Sequence, residues 1–332
     1  MFSRFLAVIV TLGVILFAGW WSLKRDDIPY DQLETIYASS DSRYLALDED
    51  TRIHFRDVGP RDAPVIVLVH GFSASLHTWE PWVADLKRDY RVISLDLPGH
   101  GLSRCIDNDE IGTDQFVDVI DRVTEAVKAQ RFTLAGNSMG GSAAWNYALA
   151  HPEKLEGLVL VDAAGWPRSD AESDDRPFIF RLLEIGIARK LVKDLDMSSL
   201  IRPGLEDSFA DPSFVTDAMV DRYASLSRAP CHREALLALS AGRGSRAEAT
   251  AERLSAITVP TLVMHGEQDK VIPASHGEQF AAAIPGADLK LYPDVGHLPQ
   301  EEIAAQSVAD LRAFLASRVH VLPAEDAGLP TN

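Results

Sequence analysis

The segment Gly-Asn-Ser-Met-Gly at residues 136–140 constrains this chain more than any other feature. It follows the apolar run at residues 132–135 and precedes a helix-like segment rich in alanine. A serine at such a strand-to-helix turn occupies a sharp bend, where flanking glycines let the backbone pass and the hydroxyl projects into a cleft. The pattern therefore predicts a nucleophile elbow with Ser138 as the nucleophile.

A serine hydroxyl is a poor nucleophile at neutral pH, so it needs an imidazole to take its proton and a carboxylate to orient that imidazole. In this architecture both partners follow the serine along the chain, each on a loop after a strand. Apolar runs at residues 260–264 and 289–292 are predicted strands, and the loops after them contain Asp269 and His297. We predict Asp269 as the acid and His297 as the base. Asp162, which follows an earlier predicted strand, remains the alternative acid.

These motifs support a resemblance to the α/β-hydrolase family from about residue 43 to residue 317. Residues 96–103, Asp-Leu-Pro-Gly-His-Gly-Leu-Ser, resemble the family's loop after the fourth strand. Within the family the chain looks most like lipase and esterase members, and the meta-cleavage-product hydrolases share its Gly-Asn-Ser-Met-Gly-Gly elbow. Haloalkane dehalogenases and epoxide hydrolases carry an aspartate where this chain has Ser138, which excludes their usual chemistry.

The resemblance also indicates an oxyanion hole, in which two backbone N–H groups bind the developing negative charge. Met139, directly after the nucleophile, is predicted to supply one N–H group. Phe72 is predicted to supply the other, because residues 70–72 resemble the family's His-Gly-x turn. His70 and His100 are expected to be structural members of their loops rather than proton carriers.

Strand-like and helix-like segments alternate along most of the chain, which predicts an α/β fold with a mostly parallel sheet and helices on both faces. Residues 44–47 and 52–55 are expected to form an antiparallel hairpin at the edge of the sheet, and residues 300–317 a final helix. The predicted organisation is an N-terminal segment at 1–24, a polar tether at 25–42, a hydrolase core at 43–165 and 257–318, an inserted helical cap at 166–256 that includes the helix-forming residues 178–185, and a disordered tail at 319–332.

The apolar N-terminal segment at residues 5–21 spans roughly 25 Å as a helix, near the lower limit for crossing a bilayer. Trp20 and Trp21 lie where interfacial aromatic residues are common. Signal-peptide cleavage prefers small residues at the first and third positions before the cut. Cutting after Ala18 puts Leu16 in the third position, and cutting after Gly19 puts Phe17 there. We therefore predict an uncleaved transmembrane anchor with the catalytic domain on the non-cytoplasmic side; the alternative is a cleaved signal peptide and an exported soluble protein.

The composition excludes one class of partner and argues against several cofactors. A formal net charge of −17 and a pI near 4.9 oppose binding to nucleic acid. No histidine pair or glycine cluster has the spacing of a zinc, dinucleotide or P-loop motif, so no metal or nucleotide cofactor is predicted. Cys105 and Cys231 are the only cysteines, and a disulfide framework is not expected in a chain this long. The oligomeric state stays open.

The predicted function is hydrolysis of carboxylic esters by an esterase or lipase acting through an acyl-enzyme, with a small-molecule or lipid ester as substrate. A carbon–carbon bond hydrolase of the meta-cleavage-product type is the nearest alternative, because it can use the same triad. That substrate's carboxylate would need polar or cationic partners, and the candidates in the cap are Arg168, Arg176, Arg181 and Arg189. A noncatalytic binding protein on a hydrolase scaffold is the alternative of another class, although binding alone does not require a complete triad.

Overall fold

One sheet of eight strands organises the chain, and the computed structural model describes residues 11, 14–15, 17–48, 51–105, 111–167, 194–195, 198–240 and 248–320. The strand order is β1-β2-β4-β3-β5-β6-β7-β8; β2 pairs antiparallel with β1 and β4, and the other neighbours are parallel. The predicted α/β-hydrolase fold is therefore confirmed. The strands are β1 Ser42–Ala46, β2 Arg52–Val58, β3 Val65–Val69, β4 Arg91–Leu95, β5 Phe132–Asn137, β6 Leu155–Val161, β7 Thr261–Gly266 and β8 Asp288–Tyr292.

The central strands are largely apolar because helices cover both faces of the sheet. Every residue of β3 and β4 is buried. Alternate side chains of β3 enter different cores: Val67 packs with Phe116 and Trp145 on one face, whereas Leu68 packs with Trp82 and others on the second face. This two-sided burial explains why β3 is a continuous apolar run rather than an alternating one.

The helices follow the predicted alternation up to β6, and several further helices lie between β6 and β7. The predicted boundaries of cap and core stay predictions, and residues 178–185 with the four cap arginines lie outside the described residues. The helices used below are α1 Tyr30–Tyr37, α2 Glu80–Leu86, α3 Thr113–Ala126, α4 Met139–Ala150, α5 Ser198–Ser208, α6 Asp217–Ser227, α7 His232–Ser240, α8 Ala251–Leu254, α9 Ala274–Ala283, α10 Pro299–Glu302 and α11 Ala304–Phe314.

The final helix differs from the single helix predicted at residues 300–317. Ile303 has φ −128° and ψ 44°, outside the helical region, and it separates α10 from α11. A π-helical turn at Leu315–Val319 then follows α11. The predicted disordered tail lies almost entirely beyond residue 320, outside the described residues.

The prediction of an N-terminal membrane anchor is wrong. The described residues between Thr11 and Leu23 are helical, but within the described parts of the chain no helix has both the length and the apolar character needed to cross a membrane. The helical stretch ends at Leu23. The next residue, Lys24, pairs with Leu195, and the Arg25 N–H donates to the Asp194 carbonyl at 2.8 Å. The membrane as a partner and the membrane localisation were predicted from that anchor, so both predictions are corrected with it.

The stretch predicted as a polar tether contains α1, and the side chain of Leu33 in that helix is fully buried. Leu33 packs with Leu102, Leu226 and Ala229. The hydroxyl of Tyr30 donates to the Pro230 carbonyl at 3.2 Å. Helix α1 therefore contacts both the loop after β4 and the end of α6. The polar composition of residues 25–42 did not indicate these contacts.

Cys105 and Cys231 form a disulfide, contrary to the expectation from chain length. The bond joins the loop after β4 to the residue just before α7, and 126 positions of sequence separate the two cysteines. Neither local spacing nor composition could reveal the pair, since only the fold brings these two loops within bonding distance.

Candidate active site

Ser138 occupies the turn between β5 and α4 in a backbone conformation that is rare for a residue with a side chain. Its φ is 54° and its ψ is −117°. Such a conformation costs on the order of 1–3 kcal/mol and persists only where the surroundings enforce it. Here the Ser138 N–H donates to the Val161 carbonyl at 3.0 Å, and the Ser138 carbonyl accepts from the Ala164 N–H at 3.0 Å. Two hydrogen bonds to the end of β6 thus hold the turn.

Close backbone approaches place the loop after β3 directly against this turn. A Cβ atom on Gly140 would lie 2.3 Å from the Val69 carbonyl oxygen, so only glycine fits there. A Cβ atom on Gly71 would lie 3.0 Å from the Cβ of Ser138. The predicted oxyanion loop and the serine are therefore neighbours because both contact positions lack a side chain.

The two predicted oxyanion donors lie on the two sides of that contact. Met139 is the first residue of α4, and the first N–H groups of a helix have no acceptor within the helix. The positive end of the helix dipole adds to their attraction for negative charge. Phe72 directly follows Gly71, and its side chain is partly exposed. The assignment of both N–H groups to an oxyanion hole remains a proposal.

Asp269 and His297 form a buried acid–imidazole pair on the loops after β7 and β8. His297 Nδ1 lies 2.6 Å from Asp269 Oδ2. Asp269 Oδ1 accepts from the N–H groups of Val271 at 2.7 Å and Ile272 at 2.9 Å. Burial alone would raise the pKa of Asp269, but the His297 imidazole and these donors hold the pKa below its usual value. The carboxyl is therefore ionised, and His297 carries its proton on Nδ1.

Among the described residues no hydrogen bond joins Ser138 Oγ to His297 Nε2. The two loops are connected instead through Asn137, whose side-chain amide donates to the His297 carbonyl at 3.1 Å and to the Val161 carbonyl at 3.2 Å. Catalytic hydrogen bonds in unliganded enzymes are often long and tighten only with substrate. The structure thus pairs the predicted acid and base directly and brings the serine near them through its preceding residue.

Asp162, the alternative acid, lies at the end of β6 and makes no hydrogen bond to His297. Its Oδ1 accepts from the Gly266 N–H at 2.9 Å, and its Oδ2 has no partner among the described residues. One ligand atom each of Asp162, Asp269 and His297 lies within 4.8 Å of the others, and this is the candidate metal cluster found in the described parts of the chain. Because His297 Nδ1 is already bonded to Asp269, the cluster is equally an acid–base site. The absence of a cofactor stays a prediction.

Glu302 is a residue of this region that the sequence did not indicate. Its Oε2 accepts from the Gly296 N–H at 2.8 Å, and its Oε1 accepts from the N–H groups of Ala210 and Asp211 at 3.0 and 3.1 Å. The His297 N–H donates to the Ser208 carbonyl at 2.8 Å. Glu302 therefore ties the loop that carries the imidazole to the chain after α5, and no sequence motif marks it.

The histidines expected to be structural make contacts of that kind. His70 Nε2 accepts from the Leu97 N–H at 3.0 Å, so the proton is on Nδ1, which donates to the Gly71 carbonyl at 2.7 Å. Burial lowers the pKa of His70, and it lowers the pKa of His100 to about 3. Both rings are therefore neutral, and His70 connects the loops after β3 and β4.

A model of the alpha/beta hydrolase fold family matches residues 64–303, so the chain belongs to this family. It is 28% identical over 277 residues to the 2-hydroxy-6-oxononadienedioate/2-hydroxy-6-oxononatrienedioate hydrolase of Comamonas testosteroni, covering 80% of this chain and 93% of that protein. It is 28% identical to the pimeloyl-[acyl-carrier protein] methyl ester esterase of Nitrosomonas europaea, covering 74% of this chain and 93% of that protein. The structure of a carboxylesterase from Bacillus subtilis aligns with a TM-score of 0.69 and 22% identity, covering 86% of this chain and 95% of that one.

These similarities confirm the predicted family and support a hydrolase acting on a small molecule. The likeness to the Bacillus subtilis structure shows the fold alone. The related proteins include a hydrolase of a hydroxy-oxo-dienedioate and a methyl ester esterase. The comparisons therefore leave open which type of bond this chain cleaves.

Proposed function

We propose that this chain is a serine hydrolase in which Ser138 attacks an acyl carbon, His297 moves the proton and Asp269 orients the imidazole. The observation that carries the proposal is the 2.6 Å contact between His297 Nδ1 and Asp269 Oδ2, on loops that flank a serine with φ 54°. Because Nδ1 donates to the carboxylate, Nε2 is the nitrogen left to accept the serine proton.

The proposed reaction proceeds through an acyl-enzyme. Ser138 Oγ bonds to the acyl carbon while its proton passes to His297 Nε2, and the N–H groups of Phe72 and Met139 stabilise the negative charge on the acyl oxygen. The bond to the leaving group then breaks, and the leaving group takes the proton from His297. Water, deprotonated by the same imidazole, releases the acid and restores the serine.

For the bond that breaks, we place carbon–carbon cleavage of a dienoic oxo acid first. The hydroxy-oxo-dienedioate hydrolase of Comamonas testosteroni and related proteins support it, as does the elbow sequence that this chain shares with meta-cleavage-product hydrolases. Such a leaving group is a carbon atom. The dienol must therefore first tautomerise to its dioxo form, in which conjugation with the 2-oxo acid spreads the negative charge left on that carbon. Carboxylic-ester hydrolysis, the main prediction from the sequence, is the second candidate, and the esterase of Nitrosomonas europaea supports it.

One experiment tests both levels of this proposal. The purified protein is assayed with p-nitrophenyl esters of graded chain length and, in parallel, with a 2-hydroxy-6-oxo dienoic acid, and kcat/KM is compared between the two classes. We expect the higher value for the dienoic acid; a higher value for the esters would make the second candidate the function.

A fluorophosphonate probe then tests the nucleophile itself. The wild-type protein is expected to gain the probe's mass on the peptide that contains Ser138, and Ser138→Ala is expected to remain unlabelled there. Turnover of neither substrate class together with no labelling would favour the noncatalytic alternative.

A further inference from the structure

A second carboxyl lies beside the Asp269–His297 pair, and its surroundings differ from those of Asp269. The Asp162 side chain is fully buried, one oxygen accepts a single backbone N–H, and the other oxygen has no partner among the described residues. Asp269 is bonded to two backbone N–H groups and to the His297 imidazole. An unpartnered buried carboxylate oxygen is costly, whereas a protonated carboxyl in the same place is not charged.

The His265 ring lies near both carboxyls. Its Nε2 is 3.5 Å from Asp162 Oδ1 and 3.5 Å from Asp269 Oδ2. The same nitrogen is bonded to the Ile272 carbonyl at 3.0 Å, and since a carbonyl only accepts, Nε2 carries a proton. That N–H places partial positive charge near both carboxyls, while its hydrogen bond is to the Ile272 carbonyl.

Two carboxyls this close in a buried site do not ionise together easily, so one of them holds a proton. The one with three donors is favoured as the anion. Burial and the nearby Asp269 charge raise the pKa of Asp162 well above its usual value, in agreement with the hydrogen-bond count. The pair therefore consists of an ionised Asp269 and a neutral Asp162.

We propose that Asp162 is a reserve acid: it holds its proton while Asp269 is ionised, and it becomes the carboxylate that orients His297 when the Asp269 carboxyl is removed. This proposal rests on the proposed function of the triad. In the absence of Asp269, Asp162 releases its proton to water, and the resulting carboxylate accepts the Nδ1 proton of His297. Asp162 acts through His297 and is a positioning residue, not a group that touches the substrate.

The test is a double-mutant cycle of wild type, Asp162→Asn, Asp269→Ala and the double variant, measured as kcat/KM on whichever substrate the wild type turns over. Asp162→Asn replaces one neutral group by another, can still accept the Gly266 N–H, and tolerates the positive φ of 44° at this position. Asp269→Ala removes the carboxyl and offers no amide that could compete for Nδ1.

We expect Asp269→Ala to lose about 10²-fold, Asp162→Asn to lose clearly less than that, and the double variant to lose about 10⁴-fold, the loss expected for a triad without a working acid. A downfield proton resonance from His297 Nδ1–H is expected in wild type and in Asp269→Ala and is expected to vanish in the double variant. A merely structural role for Asp162 would not move that signal.

Two results overturn the proposal. Equal activity of Asp269→Ala and the double variant would mean that Asp162 orients nothing. A loss in Asp162→Asn as large as in Asp269→Ala would make Asp162 the working acid. Thermal melting of all four proteins checks folding, and Asp162→Ser, a second substitution that removes the carboxyl, must reproduce the pattern.

Failure of the triad itself is recognised separately in the same series. If Ser138→Ala keeps wild-type turnover, the proposed function is wrong. If Ser138→Ala is inactive but the double variant is as active as Asp269→Ala, the triad stands and only the proposal that Asp162 is a reserve acid is wrong.

Discussion

Two Ser–His–Asp arrangements occur in the described residues, and they differ in what surrounds the serine. In the first, Ser42 Oγ lies 2.7 Å from His54 Nε2, and His54 Nδ1 lies 2.7 Å from Asp96 Oδ2. The second is the proposed catalytic set, in which the acid–imidazole contact is present and the serine–imidazole hydrogen bond is not formed. Judged by hydrogen bonds alone, the first set is the more complete triad.

The surroundings reverse that ranking. Ser42 begins an edge strand, and its Oγ also accepts the Ser39 N–H at 3.0 Å. Asp96 accepts the N–H groups of Leu76 at 2.7 Å and Leu102 at 2.8 Å, so it fixes the loops after β3 and β4. Ser138, in contrast, sits in a strained turn at a helix N-terminus, next to the Gly71 loop. A bonded Ser–His–Asp chain is therefore a sign of catalysis only where backbone N–H groups are also available to stabilise an oxyanion.

The largest expected effect separates the two serines. Ser138→Ala is expected to lower kcat/KM about 10⁴-fold or more, because the nucleophile is lost while folding is kept. Ser42→Ala is the matched control and is expected to stay within about twofold. His297→Ala should resemble Ser138→Ala. Steady-state kinetics on the purified proteins measures all three, and a severe loss in Ser42→Ala would show that the first arrangement takes part in catalysis.

The two aspartates are expected to fail in different ways. Asp269→Asn should lower turnover about 10⁴-fold with little change in melting temperature. The amide keeps the position beside His297 Nδ1, so Asp162 cannot take it, and the amide neither stabilises the imidazolium nor fixes its tautomer. Asp96→Asn should cost about 2–4 kcal/mol of unfolding free energy, because an anion bonded to His54 and two backbone N–H groups is replaced by a neutral amide. Urea unfolding measures the stability of both variants, and steady-state kinetics measures their turnover. Equal losses of stability would contradict a catalytic role for Asp269 and a structural role for Asp96.

The disulfide is expected to stabilise the region around Asp96. Cys105 follows the loop that Asp96 holds. Replacing both cysteines by serine should cost about 2–5 kcal/mol, because closing so long a loop removes much of the entropy of the unfolded chain. The melting temperature of the wild type with and without a reductant gives an independent measurement. An unchanged melting temperature in both experiments would show that the bond contributes no stability.

The smallest expected effect concerns Glu301, which contacts both regions. Its carboxylate accepts a hydrogen bond from the hydroxyl of Thr78, on the loop next to Asp96, and it lies on α10 just after His297. Burial raises the pKa of Glu301 to about 7 from an ordinary value of 4.5, and Thr78 and Arg222 oppose the rise. The unfolded chain therefore ionises this group from about pH 4.5, whereas the folded protein keeps the proton until about pH 7.

Folding stability supplied by protonated Glu301 is consequently lost as the pH rises from 4.5 to 7 and stays lost above it. Glu301→Gln cannot ionise, so it should be more stable than wild type at pH 8 by about 1 kcal/mol or less, given that the side chain is only half-buried. The advantage should shrink at pH 5. Melting curves at both pH values measure it, and an advantage that is larger at pH 5 would contradict the assignment.

Much of the fold and part of the site were predictable because they depend on short stretches of sequence. β2 begins at the predicted residue 52, and β5 and β7 each extend two residues beyond their predicted ends at residues 135 and 264. Continuous apolar runs mark buried parallel strands, and the glycines around Ser138 mark a turn that few other residues can form. The predicted anchor failed because a membrane span needs both length and apolar character in one helix, and no helix in the described parts of the chain has both.

The sequence by itself determined the order of strands and helices and the nucleophile, acid and base candidates, since periodicity, turn residues and chain order are local properties. Only the tertiary structure decided which carboxyl bonds His297, because that choice depends on how the loops after β6, β7 and β8 meet at one end of the sheet. The same holds for the disulfide of Cys105 with Cys231 and for the Glu302 contacts. In each case the partners are distant in the chain, and only the packed fold brings donor and acceptor within reach.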